Sequence, residues 1–455
     1  MNEYQKFLET KRHSVGNYGF EPIWLPDCAF DFQRHIVSWA MNKGRAAIFA
    51  DTGLGKTLMQ LAIAENVIRK TNGRVMILTP LAVAFQFIKE AEKLGIGDIS
   101  YSKDGKMTTK IVVANYERLH HFNSNDFEAV ILDESSILKN FDGIVKAQIS
   151  SFIRKVKYRF LSTATPSPND FVELGNSSEA LGFMGYTDML TKFFANNKDT
   201  VSPAGIGVEW VLKGHAKESF WRWVASWSMS VRKPSDIGFD DSRYVLPALH
   251  VRDHLVKNET PPIVDGQMSL FAVEARNAKE LITERAATVL ARCERAVELA
   301  QPHKVSVYWC NLNKEADLIE KIDKSAVQVT GSMKIDQKEE ILIAFANGEI
   351  DKLITKASIT AFGLNWQHCN HATYFPTYSY EQWYQSIRRF WRFGQQREVF
   401  ADRILSEGQT KLIRSLNQKT DKADEMFSIL TAMTSGANSD TIRQFTKEIQ
   451  LPKFI

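Results

Sequence analysis

A chain of 455 residues is too long for one hydrophobic core, because single cores stop growing near roughly 250 to 300 residues, so two or three domains are expected. Hydrophobic residues at 44% and charged residues at 24% give the balance of a soluble globular protein rather than a disordered or membrane one. A net charge of +4 permits a nucleic-acid partner without arguing for one.

Cys28, Cys293, Cys310 and Cys369 lie far apart with no C-x-x-C spacing, which signals neither a zinc site nor a disulfide framework. The opening MNEYQKFLETKRH is charged and lacks the apolar run of a signal peptide, and no stretch approaches the roughly 18 apolar residues of a membrane span. A cytosolic protein is expected.

From residue 46 to 165, short apolar runs (RAAIFA, RVMILTP, KIVVAN, AVILDES, YRFLSTATP) alternate with helical patterns such as LMQLAIAENVIRK and FQFIKEAEKL. That rhythm predicts a parallel sheet covered on both faces, the first α/β lobe, over 1–171. Residues 172–300 break it with the tryptophan-rich SFWRWVASWSMSVRKPSDIG and a long helical pattern, and are read as a mainly helical insertion and connector. Trp221, Trp223 and Trp227 have a spacing that favours anchoring a helix to a core over stacking on bases. From 301 to 455 the alternation returns with KVSVYWC, AVQVTG, DKLITKA, HATYFPT and the helix EQWYQSIRRFWRFG, a second α/β lobe.

Ala50-Asp51-Thr52-Gly53-Leu54-Gly55-Lys56-Thr57 follows the strand RAAIFA and opens a helix, the context a phosphate-binding loop requires, with alanine where the strict pattern has glycine. Thr52, Gly53, Leu54 and Gly55 would cradle the phosphates of ATP with backbone N–H groups, Lys56 would reach the β and γ phosphates, and Thr57 would ligate Mg²⁺. About 77 residues on, an apolar strand ends in Asp133-Glu134. Asp133 would hold the metal and Glu134 would deprotonate the attacking water.

These residues resemble superfamily 2 helicases, and within them the SNF2-like ATPases in compact bacteriophage or prophage forms. DESSILKN at 133–140 is similar to the family sequence that begins Asp-Glu-Ala-His, with Ser135 and Ser136 substituted. Leu161 to Pro166, with Ser162, Thr163 and Thr165, resembles motif III, which couples the ATP site to the second lobe and to DNA. Gln33 in Phe30-Asp31-Phe32-Gln33 resembles the glutamine that reads adenine. Thr79-Pro80 and Asn115-Tyr116 resemble motifs Ia and Ib, which touch the nucleic-acid backbone.

In the second lobe, residues 359–365 resemble motif V, with Gly363 at the nucleotide and Asn365 at DNA, and Ala361 in place of the first glycine. Residues 385–395 resemble motif VI. There Gln385 couples the two sites, Arg392 is the arginine finger and Arg389 stands beside it.

The resemblance implies two RecA-like lobes and an ATP-dependent DNA helicase or translocase working on duplex, forked or branched DNA. It implies a monomer in a bacterial or phage-infected cytosol, with replication or recombination proteins as further partners. An RNA helicase and an ATP-gated clamp for protein partners are the competing readings, and the absence of an Asp-Glu-Ala-Asp box argues against the RNA one.

Overall fold

The computed structural model describes residues 16–436 apart from 81–82, 140–143, 198–200, 203–204, 207–208, 259–262, 265–266, 269–277 and 361–364. The chain divides into two compact units, residues 1–244 with 423–455, and residues 245–422.

In the first unit seven strands form one parallel sheet. They are β1 (Arg45–Ala50), β2 (Arg74–Thr79), β3 (Ile99–Tyr101), β4 (Ile111–Asn115), β5 (Phe127–Asp133), β6 (Tyr158–Ser162) and β7 (Ser228–Val231), in the order β7-β1-β6-β5-β2-β4-β3. Runs such as Val75 to Leu78 and Ile111 to Ala114 are buried residue after residue. This is the pattern of strands whose two faces are both covered by helices. In a parallel sheet all strand ends of one kind lie together, so Ala50, Thr79, Asn115, Asp133, Ser162 and Val231 share the carboxyl edge. That edge is where open α/β sheets bind ligands.

The tryptophan-rich segment is part of this unit's core. Helix Lys217–Trp227 buries Phe220, Trp221, Trp223 and Trp227, and the Trp227 ring meets Phe49 of β1 edge-on at 6.1 Å between centroids. The core reading of the tryptophans holds, and nothing of Trp221 or Trp227 is left for a base to stack on. The chain then runs into β7, which pairs with β1 from Ala47↔Ser228 to Ala50↔Val231. Residues 172–244 are therefore integral to the first unit, where the sequence pattern had set them apart as a connector. The end of the long helix Thr410–Gly436 also belongs here, since Met426, Phe427 and Leu430 join the same core cluster.

The second unit holds a six-stranded parallel sheet of β8 (Leu249–Val256), β9 (Ser306–Cys310), β10 (Ala326–Gln328), β11 (Lys352–Lys356), β12 (His371–Tyr374) and β13 (Val399–Ser406), ordered β8-β13-β12-β9-β11-β10. Its core includes Cys293, Val297, Tyr308, Ile319, Ile354 and Ile404. Beside it lies a buried ion pair, Arg292 to Glu315 at 2.7 Å. No helix among the described residues is long and apolar enough to cross a membrane.

Candidate active site

The phosphate loop grows directly out of β1. Asp51 N–H donates to the Val231 carbonyl of β7 at 2.9 Å, so the neighbouring strand fixes the start of the loop. Gly53 (φ 89°) and Gly55 (φ 81°) then turn the chain through left-handed conformations that favour glycine. A Cβ on Gly55 would stand 2.3 Å from Gln33 Nε2. Helix Lys56–Thr71 starts immediately after, with no side chain capping its first N–H groups. Those donors and the positive end of the helix dipole suit a phosphate. The Lys56 ammonium donates to the Ala50 carbonyl at 3.0 Å and to that of Asp51 at 3.3 Å, across the mouth of the loop.

Gln33 packs beneath the loop. Its Nε2 donates to the Leu54 carbonyl at 2.9 Å and its Oε1 accepts from Phe30 N–H at 3.0 Å, so this buried amide braces loop against helix.

Asp133 ends β5 fully buried. Its Oδ1 accepts from Gln60 Nε2 at 2.8 Å and its Oδ2 from the Thr79 hydroxyl at 3.3 Å. Burial pushes its carboxyl above the usual range, and Gln60, Lys56 and Thr79 pull the other way. A desolvated carboxylate held by neutral donors suits a divalent cation.

Glu134, the next residue, takes φ 51°, a left-handed conformation uncommon outside glycine. Strain of this kind concentrates at functional sites. The twist leaves Glu134 partly exposed beside the buried Asp133. The Thr163 hydroxyl donates to Glu134 Oε2 at 3.2 Å and accepts from Thr165 N–H at 3.1 Å. Ser162 is paired in register with Asp133, and its buried hydroxyl has no partner among the described residues.

The two segments read as nucleic-acid contacts turn inward. Thr79, Asn115 and Tyr116 are all buried. Thr79 holds Asp133, the Tyr116 hydroxyl donates to the Asp133 carbonyl at 2.5 Å, and Asn115 Nδ2 donates to the Tyr101 hydroxyl at 2.9 Å. With little side-chain surface to offer a polyanion, Thr79 and Tyr116 brace the carboxylate strand, and Asn115 ties β4 to β3. Pro80 is half-buried and Asn365 is exposed. Gln60 was missed by sequence reading, although its place four residues after Lys56 puts it on the same helix face.

In the second unit, helix Tyr380–Ile387 stops before the arginines of motif VI, and Arg388 caps it. The Arg389 carbonyl accepts from Trp366 N–H at 2.9 Å, which ties motif VI to the end of motif V. Arg389 is buried, whereas Arg392 is half-buried. Gln385 is buried with neither amide heteroatom partnered among the described residues. Gly363 lies outside the described residues.

Two family descriptions match the chain, "DEAD/DEAH box helicase" over residues 30–174 and "Helicase conserved C-terminal domain" over 288–394. The chain carries both domains of the superfamily 2 helicases and belongs to them. As a member it is an ATP-dependent helicase.

Among the relatives of this helicase is the "Uncharacterized ATP-dependent helicase YqhH" of Bacillus subtilis, 25% identical over 434 residues, with 83% of this chain and 75% of that protein covered. The "DNA annealing helicase and endonuclease ZRANB3" of Bos taurus is 26% identical over 180 residues, covering 36% of this chain but only 17% of the relative. A solved structure, "Sulfolobus solfataricus SWI2/SNF2 ATPase core in complex with dsDNA", is 17% identical with a TM-score of 0.42, covering 95% of this chain and 99% of that one.

Proposed function

We propose that this helicase hydrolyses Mg²⁺-ATP to move along duplex DNA, with forked or branched molecules preferred and branch migration or short-range unwinding as its output. The observation that carries the reading is the Asp133-Glu134 pair. One carboxylate is buried and held by neutral donors, and the next is twisted outward onto Thr163, both at the same sheet edge as the phosphate loop.

Lys56 and the N–H groups of the loop bind the phosphates, and Thr57 and Asp133 would hold Mg²⁺, which supplies charge neutralisation on the β and γ phosphates. Glu134 receives the proton of the attacking water, and Thr163 fixes the carboxylate for that task. Arg392, with Arg389 beside it, stabilises charge on the transferring phosphoryl group. Gln385 and Ser162, buried polar groups without partners among the described residues, pass the state of the nucleotide to the rest of the protein, together with Thr163 and Thr165. Gly363 supports the nucleotide, and Pro80 and Asn365 meet the DNA backbone. A nucleotide that binds one conformation better than another shifts the balance between them, so each round of hydrolysis is a cycle of grip and release that advances the motor.

DNA as the track is supported by the likeness to the DNA annealing helicase ZRANB3 and by the Arg-x-Gly-Gln ending of motif VI. Backbone gripping is insensitive to sequence and weakens steeply with salt. The deciding experiment measures ATPase rate with no nucleic acid, single-stranded DNA, blunt duplex, forked duplex, a four-way junction and RNA. Strongest stimulation by forks and junctions is expected. Stimulation by RNA alone would replace DNA as the track, and a rate indifferent to every nucleic acid would favour the protein-clamp reading.

A further inference from the structure

Gln60 is almost completely buried, one turn into the helix that begins at the phosphate loop. Its side chain is used by halves. Nε2 donates to Asp133 Oδ1 at 2.8 Å, whereas Oε1 is buried with no hydrogen-bond partner among the described residues. A buried carbonyl without a donor is costly, and native proteins leave few of them. An apolar side chain of the same size would fill the position without that cost, so packing alone does not explain a glutamine. Covalent geometry sets Oε1 beside Nε2, and therefore close to the Asp133 carboxylate.

A divalent cation such as Mg²⁺ keeps several waters in its shell, and each of those waters is a hydrogen-bond donor. We propose that Gln60 is an outer-shell residue of the metal site, its amide nitrogen holding Asp133 and its amide oxygen accepting a hydrogen bond from a water bound to the cation. The inference rests on Asp133 as the metal carboxylate. Both halves of the amide are then satisfied once the metal is bound, and the orphaned oxygen marks where the water goes. Thr79 shares the work on Oδ2 at 3.3 Å, and its hydroxyl also lies 3.5 Å from the Pro80 carbonyl. Gln60 is thus a positioning residue that joins the start of the phosphate-loop helix to the end of β5, and it makes the metal and the loop bind together.

The test counts Mn²⁺ binding by electron paramagnetic resonance, with the whole chain and a non-hydrolysable ATP analogue. It compares the parent with Gln60→Leu, Gln60→Glu and Asp133→Ala. Affinity of a fluorescent ATP analogue in EDTA is measured in parallel, to show that the loop is intact. Loss of an outer-shell partner typically weakens metal binding about 10- to 100-fold. Gln60→Leu is expected to lose Mn²⁺ affinity within that range while metal-free nucleotide binding stays within about twofold, and Gln60→Glu, which keeps an acceptor but gives up the amide donor to Asp133, to fall between Gln60→Leu and the parent. Unchanged Mn²⁺ affinity in Gln60→Leu, beside a loss in Asp133→Ala, would overturn the role of Gln60 and leave Asp133 in place. No loss in Asp133→Ala would overturn both. If Gln60→Leu fails to bind metal-free nucleotide, Gln60→Glu decides: metal affinity above that of Asp133→Ala supports the role, and metal affinity no better than that of Asp133→Ala, with the loop intact, overturns it.

Discussion

The Thr163 hydroxyl donates to Glu134 Oε2 at 3.2 Å while accepting from Thr165 N–H, so the motif III loop holds the carboxylate in a fixed orientation. A hydrogen bond to a charged group contributes about 1.5–3 kcal/mol, enough to set a general base. Thr163→Val keeps the shape and removes the donor. Steady-state turnover should fall about 10- to 100-fold by that energy, with ATP affinity nearly unchanged. Equal turnover in the variant and the parent, under saturating nucleic acid, would remove Thr163 from catalysis.

Lys56 and Glu134 should fail differently. Lys56→Ala removes the cation at the mouth of the loop, proposed to hold the phosphates, and should not bind nucleotide productively. Glu134→Gln should bind ATP normally yet hydrolyse it about 10²- to 10⁴-fold more slowly, the usual range for a lost general base. Binding by fluorescence and hydrolysis by phosphate release separate the two, and equal loss of binding in both contradicts the assignment.

Gln33 has both amide heteroatoms committed to the protein, to Leu54 and Phe30. Gln33→Ala should therefore weaken every nucleoside triphosphate as the loop loosens, in addition to eroding any preference for ATP over GTP. Titrating both nucleotides against parent and variant separates bracing from base reading. A change confined to ATP would assign the amide to adenine alone.

Arg392→Ala should slow hydrolysis on the order of 10³-fold, the effect of other arginine fingers, with a much smaller change in ATP affinity. Single-turnover kinetics with saturating nucleic acid gives the answer. Undiminished turnover would pass the role to Arg389.

Acid should loosen the second unit. The His303 ring stacks on His371 at 3.9 Å between centroids, and burial, with His371 beside it, pushes its pKa down to about 4. Burial lowers His371 as well. Both imidazoles take up protons more readily unfolded, near 6.5, so their contribution is complete above pH 6.5 and is lost as pH falls toward about 4. Asp402 adds a second loss at lower pH. Burial works against its charge, but hydrogen bonds from His371, Arg252 and His254 hold its carboxyl well below the usual carboxylate range. Thermal unfolding at pH 7.5, 6.5, 5.5 and 4.5 should show a falling midpoint, and His303→Phe should flatten the slope. Parallel curves for parent and variant would rule out His303 as the source.

The strands that carry the nucleotide chemistry were legible because their burial shows directly as unbroken apolar runs, RAAIFA and AVILD among them. Val399–Ser406 was not, because Asp402 and Arg403 interrupt its run. Both charges are paired across the sheet, Asp402 with Arg252, and Arg403 with Asp253 at 2.6 Å, so the signal that hid the strand is satisfied only in the fold. β7 was lost for another reason, since SMSV is four residues long and follows a helix richer in aromatic signal. The motifs read Thr79, Asn115 and Tyr116 as nucleic-acid contacts at strand ends, and the structure buries all three. The motifs could not say which way these residues face, because a threonine or tyrosine at a strand end serves a buried carboxylate as readily as a phosphate.

The pairing of β7 with β1 has a consequence for how the protein is made. The strand that carries the phosphate loop finds one of its neighbours, and the carbonyl that anchors Asp51, more than 170 residues downstream. Contacts of such sequence separation form late and slowly. A nascent chain still lacking Val231 has an unpaired apolar edge where the ATP site will be, the kind of surface that chaperones guard. Nucleotide binding should therefore switch on abruptly during synthesis, once the tryptophan helix and the strand after it have left the ribosome, rather than when the loop itself emerges.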